Sequence, residues 1–241
     1  MIYKTFAIPY ADDSRMIFVR SYLEDNGYIY VKDVDDADFV ILPVLTKPYM
    51  FKGLENKTVF HGLAKNNPGF NYMENENYVL KNAILTAEGA VTFIELETDY
   101  SLNNASVLIT GYGRIAKALH KILKAYGSKV TVCSRSNVSK TEAVFNGAHH
   151  IDFEGLKKMA DYDIVINTVP HIVFTKAELS SLDKNVLLLD LASFPGGIDT
   201  LVADSLKLKQ LNGRAMPSKY TSRTAGICIG EAVLEMIKEG I

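Results

Sequence analysis

Short apolar runs alternate with amphipathic stretches through the second half of the chain. Five of these runs have the length and composition of buried β-strands, at 107–110, 129–133, 150–153, 163–167 and 186–190. Stretches with helical spacing lie between them, at about 115–126, 137–147, 154–161 and 175–182. Strands that alternate with helices predict a parallel sheet with helices packed on its faces. In the helix at 115–126 the spacing buries residues such as Leu119 and Tyr126 and directs His120 and its neighbouring lysines to solvent.

The first half of the chain shows a second, shorter α/β pattern. Strands are predicted at 5–8, 28–31, 39–43 and 58–60. Ser14 is expected to cap a helix that ends before Gly27. A further helix at about 86–97 connects this region to the second half, and another at 224–238 ends the sequence.

The predicted fold class is therefore α/β with two domains. A C-terminal Rossmann domain, a doubly wound parallel sheet, takes residues 99–218. A smaller, flavodoxin-like α/β domain on the substrate side takes residues 1–98, including the connector helix. Residues 219–241 form a helix that we expect to return to the N-terminal domain.

Composition and charge exclude several functional classes. The 241 residues are 48% hydrophobic and 22% charged, as in an ordinary soluble globular protein. The net charge of −2 provides no field that would attract nucleic acid or an anionic membrane. The first apolar run is too short for a signal peptide, and no run approaches the length of a membrane span. Cys133 and Cys228 form no C-x-x-C motif, so a reducing, cytoplasmic location is expected.

A glycine-rich turn follows the first strand of the second domain, with the sequence Gly111-Tyr112-Gly113-Arg114-Ile115-Ala116. Between a strand and a helix, the pattern G-x-G-x-x-A predicts a dinucleotide site. Gly111 permits the tight turn, Gly113 lets the backbone approach a pyrophosphate, and Ala116 lets the helix pack close to its strand. The free N–H groups at the start of the helix favour the phosphates.

The end of the next strand indicates which dinucleotide is bound. NAD-specific proteins carry an Asp or Glu about 20 residues after the turn, where it accepts a hydrogen bond from the ribose 2′-hydroxyl. Here Ser134, Arg135 and Ser136 occupy that place. A guanidinium and two hydroxyls suit a 2′-phosphate, so NADP is the predicted cofactor. In the alternative, Arg135 stacks on the adenine without selecting the phosphate.

Two further strand ends are candidates for cofactor contact, because ligands of such sheets bind at the carboxyl ends of the strands. Asn167-Thr168-Val169-Pro170 either lies against the nicotinamide ribose and phosphates or forms a plain turn. Asp190 either points into the same crevice or caps the following turn. Ala192 and Ser193 in the loop after Asp190 complete the predicted cofactor site.

These motifs together resemble the A subunit of dipicolinate synthase. The matching segments are Thr86-Ala87-Glu88-Gly89, the Gly111 turn, 134–136, 167–170, 190–197 and Thr224-Ala225-Gly226. The resemblance implies an NADP-linked, two-domain relative of the 2-hydroxyacid dehydrogenases, working with a flavoprotein-like B subunit in sporulation. It implies oxidation of a cyclic dihydropyridine dicarboxylate to pyridine-2,6-dicarboxylate.

The resemblance also implies substrate contacts from Asp13 and Arg15, which match the family's Asp-x-Arg, and from Thr86. Two departures concern the substrate. Phe194 stands where the family pattern has Arg, which removes a natural carboxylate ligand, and the first domain is short.

Candidate catalytic and substrate residues follow from the chemistry of a dicarboxylate. Cations must pair with its carboxylates, and Arg15, Lys219 and Arg223 are the candidates, each with a solvated surface charge as the alternative. Glu88 and His171 are the predicted groups for proton removal, with His61 as a further candidate. No metal site is predicted, because adjacent residues His149 and His150 on a strand point to opposite faces.

The leading hypothesis is an NADP-dependent dehydrogenase subunit that acts on a small dicarboxylate together with a B subunit. One alternative is a non-catalytic subunit that binds NADP(H) or serves as a scaffold. A second is a reductase of another 2-keto acid. Neither nucleic acid nor membrane is an expected partner, and assembly into a homo-oligomer is left open.

Overall fold

The computed structural model describes residues 3–62 and 68–240. The chain divides into two compact units. The first unit comprises Met1–Leu85 and Pro217–Ile241, and the second comprises Thr86–Met216. Each unit is built around one parallel sheet with helices, so the α/β, two-unit architecture is confirmed.

Eleven strands and eight α-helices are present in the described part of the chain. The strands are β1 (Thr5–Ala7), β2 (Ile29–Tyr30), β3 (Phe39–Ile41), β4 (Thr58–His61), β5 (Phe70–Asn71), β6 (Ser106–Thr110), β7 (Lys129–Cys133), β8 (His149–Ile151), β9 (Ile164–Asn167), β10 (Leu187–Asp190) and β11 (Lys209–Asn212). The helices are α1 (Met16–Asp25), α2 (Glu76–Glu97), α3 (Arg114–Ala125), α4 (Asn137–Phe145), α5 (Lys176–Leu179), α6 (Thr200–Ser205), α7 (Met216–Tyr220) and α8 (Ser222–Lys238). Short 3₁₀ turns lie at Pro48–Phe51, Tyr72–Glu74 and Phe153–Lys157.

The first unit has five parallel strands in the order β2-β1-β3-β4-β5. Its core is aromatic, with Phe6, Phe39 and Phe60 fully buried and in ring contact. Helix α8 packs against α1. Gly226 permits this close approach, since a Cβ atom there would lie 2.4 Å from the carbonyl oxygen of Arg15.

The second unit has six parallel strands in the order β11-β10-β9-β6-β7-β8. The chain leaves β6 in one direction through β7 and β8, and then returns to the other side of β6 for β9, β10 and β11. This reversal places a topological switch point between β6 and β9, where ligands of open α/β sheets bind. Strands β6, β9 and β10 are buried on both faces, which explains their unbroken apolar sequences.

Several elements differ from the sequence predictions. Helix α2 begins at Glu76, well before the predicted start near residue 86, and the contacts divide the chain after Leu85 rather than near residue 98. Ser14 does not cap α1. Its hydroxyl instead donates a hydrogen bond to the carbonyl oxygen of Ser218 (2.7 Å), while Arg15 occupies the N-cap position.

Side-chain burial in α3 also differs from the prediction. His120 is only 2% exposed, although its spacing directed it to solvent, while Tyr126 is 43% exposed. The predicted helix at 154–161 is a short 3₁₀ turn. Burial raises the pKa of the Cys133 thiol to about 12, which suits an inert core residue.

Candidate functional site

The turn between β6 and α3 has the backbone that a glycine fingerprint requires. Gly111 has a φ of +86°, a conformation that side chains other than glycine rarely adopt. A Cβ atom on it would lie 2.6 Å from Thr168 Oγ1, so the turn also passes close to the end of β9. The amide of Gly111 donates to the carbonyl oxygen of Cys133 (2.8 Å) and ties the turn to β7.

Gly113 leaves the start of α3 open. It is the N-cap residue, no side chain caps the first turn, and a Cβ atom on Gly113 would meet nothing within 4 Å. Ala116 is fully buried against the sheet, as its small size predicts. Arg114 is exposed and Ile115 half-buried. A helix start without a side-chain cap, next to the open space at Gly113, fits a pyrophosphate, and the dipole of the twelve-residue helix favours its charge.

Tyr112 turns its side chain away from this opening. The ring is buried, and the hydroxyl is hydrogen-bonded to His120 Nδ1 at 2.9 Å. Burial, followed by the charge of Lys124, lowers the pKa of His120, which favours the neutral imidazole. The side chain of Tyr112 therefore anchors the turn to α3 and leaves only its backbone for the crevice.

The end of β7 carries one exposed cation beside two engaged hydroxyls. Arg135 is exposed. Ser134 is buried and is hydrogen-bonded to Nε2 of His150 on β8 (3.1 Å). Ser136 caps α4 by accepting from the amide of Ser139 (3.4 Å). Burial and the charge of Lys140 lower the pKa of His150, so the group that faces Ser134 favours its neutral form.

Asn167 holds three strand ends together. It is fully buried, accepts from Thr110 Oγ1 (2.7 Å), and donates to Asp190 Oδ1 (2.8 Å) and to the carbonyl oxygen of Val169 (2.9 Å). Its side chain is therefore occupied within the protein, and it fixes the positions of the backbone at Thr168 and Val169. Thr168 donates through its hydroxyl to the carbonyl oxygen of Thr110 (2.7 Å), and Pro170 is exposed.

Asp190 shapes the loop that follows β10. Its Oδ1 accepts from the amide of Ala192 (3.1 Å) as well as from Asn167, and its Oδ2 accepts from the amide of Gly197 (2.9 Å). Asp190 was expected either to point into the crevice or to cap the following turn. These contacts are those of a cap. Ala192 is buried, whereas Ser193 is exposed and Phe194 is 84% exposed, so the loop presents these two residues to solvent.

The two predicted catalytic groups are both accessible. Glu88 is an exposed residue of α2, and its carbonyl oxygen accepts from the hydroxyl of Thr92 (3.1 Å). His171 is exposed and follows the turn at the end of β9. His61, the further candidate, is 2% exposed, with Nδ1 at 3.0 Å from the carbonyl oxygen of Gly62. Burial makes His61 a core residue rather than a base.

In the first unit, Arg15 is paired within the protein. Its Nε and Nη2 donate to Oδ1 and Oδ2 of Asp13 at 2.8 and 2.6 Å, and its side chain is 5% exposed. Burial alone would raise the pKa of Asp13, but the hydrogen bonds and charge of Arg15 outweigh it, so the pKa lies below its ordinary value. The bidentate edge predicted for a substrate carboxylate is therefore taken by Asp13.

The remaining predicted substrate residues are spread over helices. Thr86 is buried in α2, whereas Lys219 on α7 and Arg223 at the start of α8 are exposed. His149 is exposed and His150 faces Ser134, so these neighbours do point apart along β8.

Sequence reasoning missed one cation at the edge of the site. Arg214 follows β11, a strand whose polar sequence Lys-Gln-Leu-Asn gives no hydrophobic signal. Its Nε donates to the carbonyl oxygen of Ala192 (3.3 Å), and its guanidinium carbon lies 5.9 Å from the centre of the Phe194 ring. Only the parallel pairing of β11 with β10 brings this residue to the loop after Asp190.

Comparison with known proteins shows what the second unit is similar to. Residues 87–193 match the family described as D-isomer specific 2-hydroxyacid dehydrogenase, NAD binding domain. The A subunit of dipicolinate synthase from Bacillus subtilis (strain 168) is 30% identical over 167 residues. That match takes in 69% of this chain and 56% of the relative, so it spans little more than half of the relative's length.

Solved structures extend the likeness to the whole fold. The crystal structure of the dipicolinate synthase A subunit from Bacillus halodurans superimposes with a TM-score of 0.85 at 22% identity, covering 97% of each chain. Its counterpart from Bacillus subtilis gives 0.84 at 22% identity, covering 99% of this chain and 97% of the other. At this identity the likeness establishes the fold.

Among the described helices, none is long and apolar enough to cross a membrane. The glycine turn and the matched family together support a nicotinamide dinucleotide as the ligand of the second unit. The resemblance is thus confirmed: this chain is similar to the A subunit of dipicolinate synthase, and residues 87–193 match the NAD binding domain of the D-isomer specific 2-hydroxyacid dehydrogenases.

Proposed function

We propose that this chain is an NADP-dependent dehydrogenase subunit that oxidises a cyclic dihydropyridine dicarboxylate to pyridine-2,6-dicarboxylate. The observation that carries the proposal is the open, uncapped start of α3 behind Gly113, with the exposed cation of Arg135 at the end of the neighbouring strand. The name of the matched relative supplies the substrate class.

The preference for NADP over NAD rests on the end of β7. No Asp or Glu occupies positions 134–136 to accept from a ribose 2′-hydroxyl or to repel a 2′-phosphate. Arg135 is free to approach a phosphate from solvent, and the N-terminus of α4 adds positive potential. A charge-assisted hydrogen bond contributes about 1.5–3 kcal/mol, or roughly ten- to a hundredfold in affinity.

The bound dinucleotide supplies the hydride acceptor at C4 of its nicotinamide. The dihydropyridine ring loses a hydride and a proton, and the protein must take up the proton. We assign that role to Glu88 or His171, which are both exposed acid–base groups. Asn167 and Asp190 position the backbone of the loops that border the crevice.

The proposed partner is a B subunit, because the matched relative is itself one subunit of a synthase. Three assays of this chain separate the proposal from its alternatives. Turnover of the condensation product of aspartate semialdehyde and pyruvate, alone or only with a B subunit, supports the dehydrogenase. Turnover of pyruvate or glyoxylate with NADPH instead supports a 2-keto acid reductase. NADPH binding without turnover in any mixture supports a non-catalytic subunit.

The cofactor assignment is tested by fluorescence titration with NADPH and NADH. We expect the Arg135→Ala variant to bind NADPH about ten- to a hundredfold more weakly while its NADH affinity changes less than about twofold. Lys140→Ala removes an exposed cation from the neighbouring helix α4 and serves as the matched control. Equal losses for NADPH and NADH in Arg135→Ala would show that this residue stacks on the adenine and does not select the phosphate.

A further inference from the structure

Arg214 lies at the carboxyl edge of the second sheet, beside the loop that follows β10. Strand β11 pairs with β10 in parallel, with Asn212 opposite Asp190, so the residue two positions later emerges at the same edge as the loop. The 2′-hydroxyl end of a dinucleotide is read at the end of β7. The other half of a dinucleotide therefore extends across the switch point to the β9 and β10 side, where Arg214 stands.

One backbone contact and two guanidinium contacts hold Arg214 beside this loop. The backbone amide of Arg214 donates to Asn212 Oδ1 (3.1 Å), and Nε donates to the carbonyl oxygen of Ala192 (3.3 Å). The Phe194 ring lies beside the guanidinium, with 5.9 Å between the ring centre and the guanidinium carbon. With Nε anchored in this way, Nη2 lies near Gly196, where a Cβ atom would be 3.2 Å from it.

The neighbouring carboxylate is satisfied by other donors. Both oxygens of Asp190 accept hydrogen bonds, from Asn167 and Ala192 on one side and from Gly197 on the other. The buried carboxylate thus has its hydrogen-bond donors in Asn167 and in the loop itself, and the Arg214 side chain beside it is half-buried. Gly196 lets the Asp190 carboxylate and the guanidinium both approach this point of the loop, because a Cβ atom there would lie 2.5 Å from Asp190 Oδ2 and 3.2 Å from Arg214 Nη2.

We propose that Arg214 binds a carboxylate of the substrate at the nicotinamide side of the site. This inference rests on the proposed function and names the residue that recognises the acid. The planar guanidinium offers two parallel N–H donors, the geometry that matches a carboxylate. Arg214 thereby supplies from β11 the positive charge that Phe194 does not supply from the β10 loop.

The test measures binding of pyridine-2,6-dicarboxylate and of pyruvate to the NADPH-loaded protein by calorimetry, which requires no turnover. Arg214→Ala is compared with Lys184→Ala, which removes an exposed cation at the amino end of β10, on the opposite edge of the sheet. Arg214→Lys keeps the charge without the fork. Arg214→Ala combined with Phe194→Arg returns a guanidinium to the loop. Melting curves verify that each variant is folded.

We expect Arg214→Ala to weaken dicarboxylate binding at least tenfold, with NADPH affinity within twofold of the wild type. Lys184→Ala should bind the dicarboxylate as the wild type does. The affinity of Arg214→Lys should lie between those of the wild type and Arg214→Ala, and the double variant should recover part of the lost affinity. Dicarboxylate affinity within twofold of the wild type in Arg214→Ala would overturn the inference, as would an equal loss of NADPH binding.

The same titrations distinguish this inference from the proposed function. Wild-type binding of pyruvate but not of the dicarboxylate, lost in Arg214→Ala, would support Arg214 and overturn the proposed substrate. Binding of the dicarboxylate that is insensitive to Arg214 would leave the proposed substrate standing and overturn Arg214. A wild-type protein that binds NADPH but neither acid would overturn both.

Discussion

The loop that follows the first strand differs between the two sheets of this protein. In each unit the first strand runs into a loop and then into the first helix packed on the sheet. After β1, the loop holds the bidentate Asp13–Arg15 ion pair, in which Arg15 is buried and Asp13 half-buried. After β6, the turn is made of glycines, no side chain caps α3, and the space in front of Gly113 is open.

The difference shows that topology alone does not create a binding site. Both parallel sheets bring the N-terminus of a helix to the carboxyl ends of their strands. A ligand can bind there only where no side chain fills the space. In the first unit the charges of Asp13 and Arg15 are satisfied by each other. In the second unit no side chain caps the start of α3, which favours binding of an anion there.

The largest expected effect comes from breaking the ion pair of the first unit. Asp13→Ala leaves the buried guanidinium of Arg15 without its carboxylate, and we expect a loss of about 3–5 kcal/mol in the free energy of unfolding. Denaturant unfolding followed by circular dichroism measures it. Asp13→Ala combined with Arg15→Met removes both charges and should recover most of the loss.

Acid unfolding of the same variants tests how the stabilisation by Asp13 depends on pH. The pKa of Asp13 lies below its ordinary value of 3.8 in the folded protein. Its stabilising contribution is therefore complete above that value and is lost as the pH falls through the lower folded pKa. The double variant should lack this part of the acid dependence. An Asp13→Ala protein as stable as the wild type would show that the pair is not a structural element.

A side chain at Gly113, in the open turn of the second unit, should weaken dinucleotide binding without unfolding the protein. The φ of Gly113 is −83°, which other residues adopt, and a Cβ atom there meets no protein atom within 4 Å. Gly113→Val should therefore melt like the wild type, while its side chain excludes a pyrophosphate. We expect dinucleotide affinity to fall about a hundredfold, or about 2.7 kcal/mol, in a fluorescence titration.

Gly111→Val is the matched comparison for this prediction. It combines a φ of +86° with a Cβ at 2.6 Å from Thr168 Oγ1, so it should lose both stability and binding. Unchanged NADPH affinity in Gly113→Val would place the dinucleotide elsewhere on the protein.

The smallest expected effect comes from His120, which anchors Tyr112 beneath the turn. Burial and Lys124 lower the pKa of His120 from its ordinary value of 6.5. Just below pH 6.5 the histidine is therefore protonated in the unfolded chain while it is still neutral in the folded protein. Its contribution to stability is complete above pH 6.5 and is lost as the pH falls toward the folded pKa. The slope from one such group is at most about 1.4 kcal/mol per pH unit.

Melting curves between pH 7.5 and 5 are the measurement, since they span the region about the ordinary histidine pKa of 6.5. His120→Gln keeps a hydrogen-bonding group near Tyr112 and should flatten the decline. His150, whose pKa is also lowered, contributes with the same sign, so His150→Gln provides the parallel comparison. An identical pH dependence in wild type and His120→Gln would show that the imidazole is not held neutral.

The sequence by itself determined the inner strands of the second sheet and its glycine turn. Strand β7 lies where its apolar run predicted, and β6, β9 and β10 differ from their predicted bounds by a residue. These elements depend on local patterns, since a strand buried on both faces is apolar throughout and a tight turn of positive φ requires glycine. The exposed position of Arg135 after β7 also follows from its place in the sequence.

Only the tertiary structure decided which charged groups meet. The polar edge strand β11 gives no hydrophobic signal, so the approach of Arg214 to Phe194 and Ala192 depends on its pairing with β10. The bidentate pairing of Arg15 with Asp13 and the burial of His120 under Tyr112 depend likewise on packing. The physical reason is that burial and pairing are properties of neighbours brought together by the fold, and residue order alone does not state them.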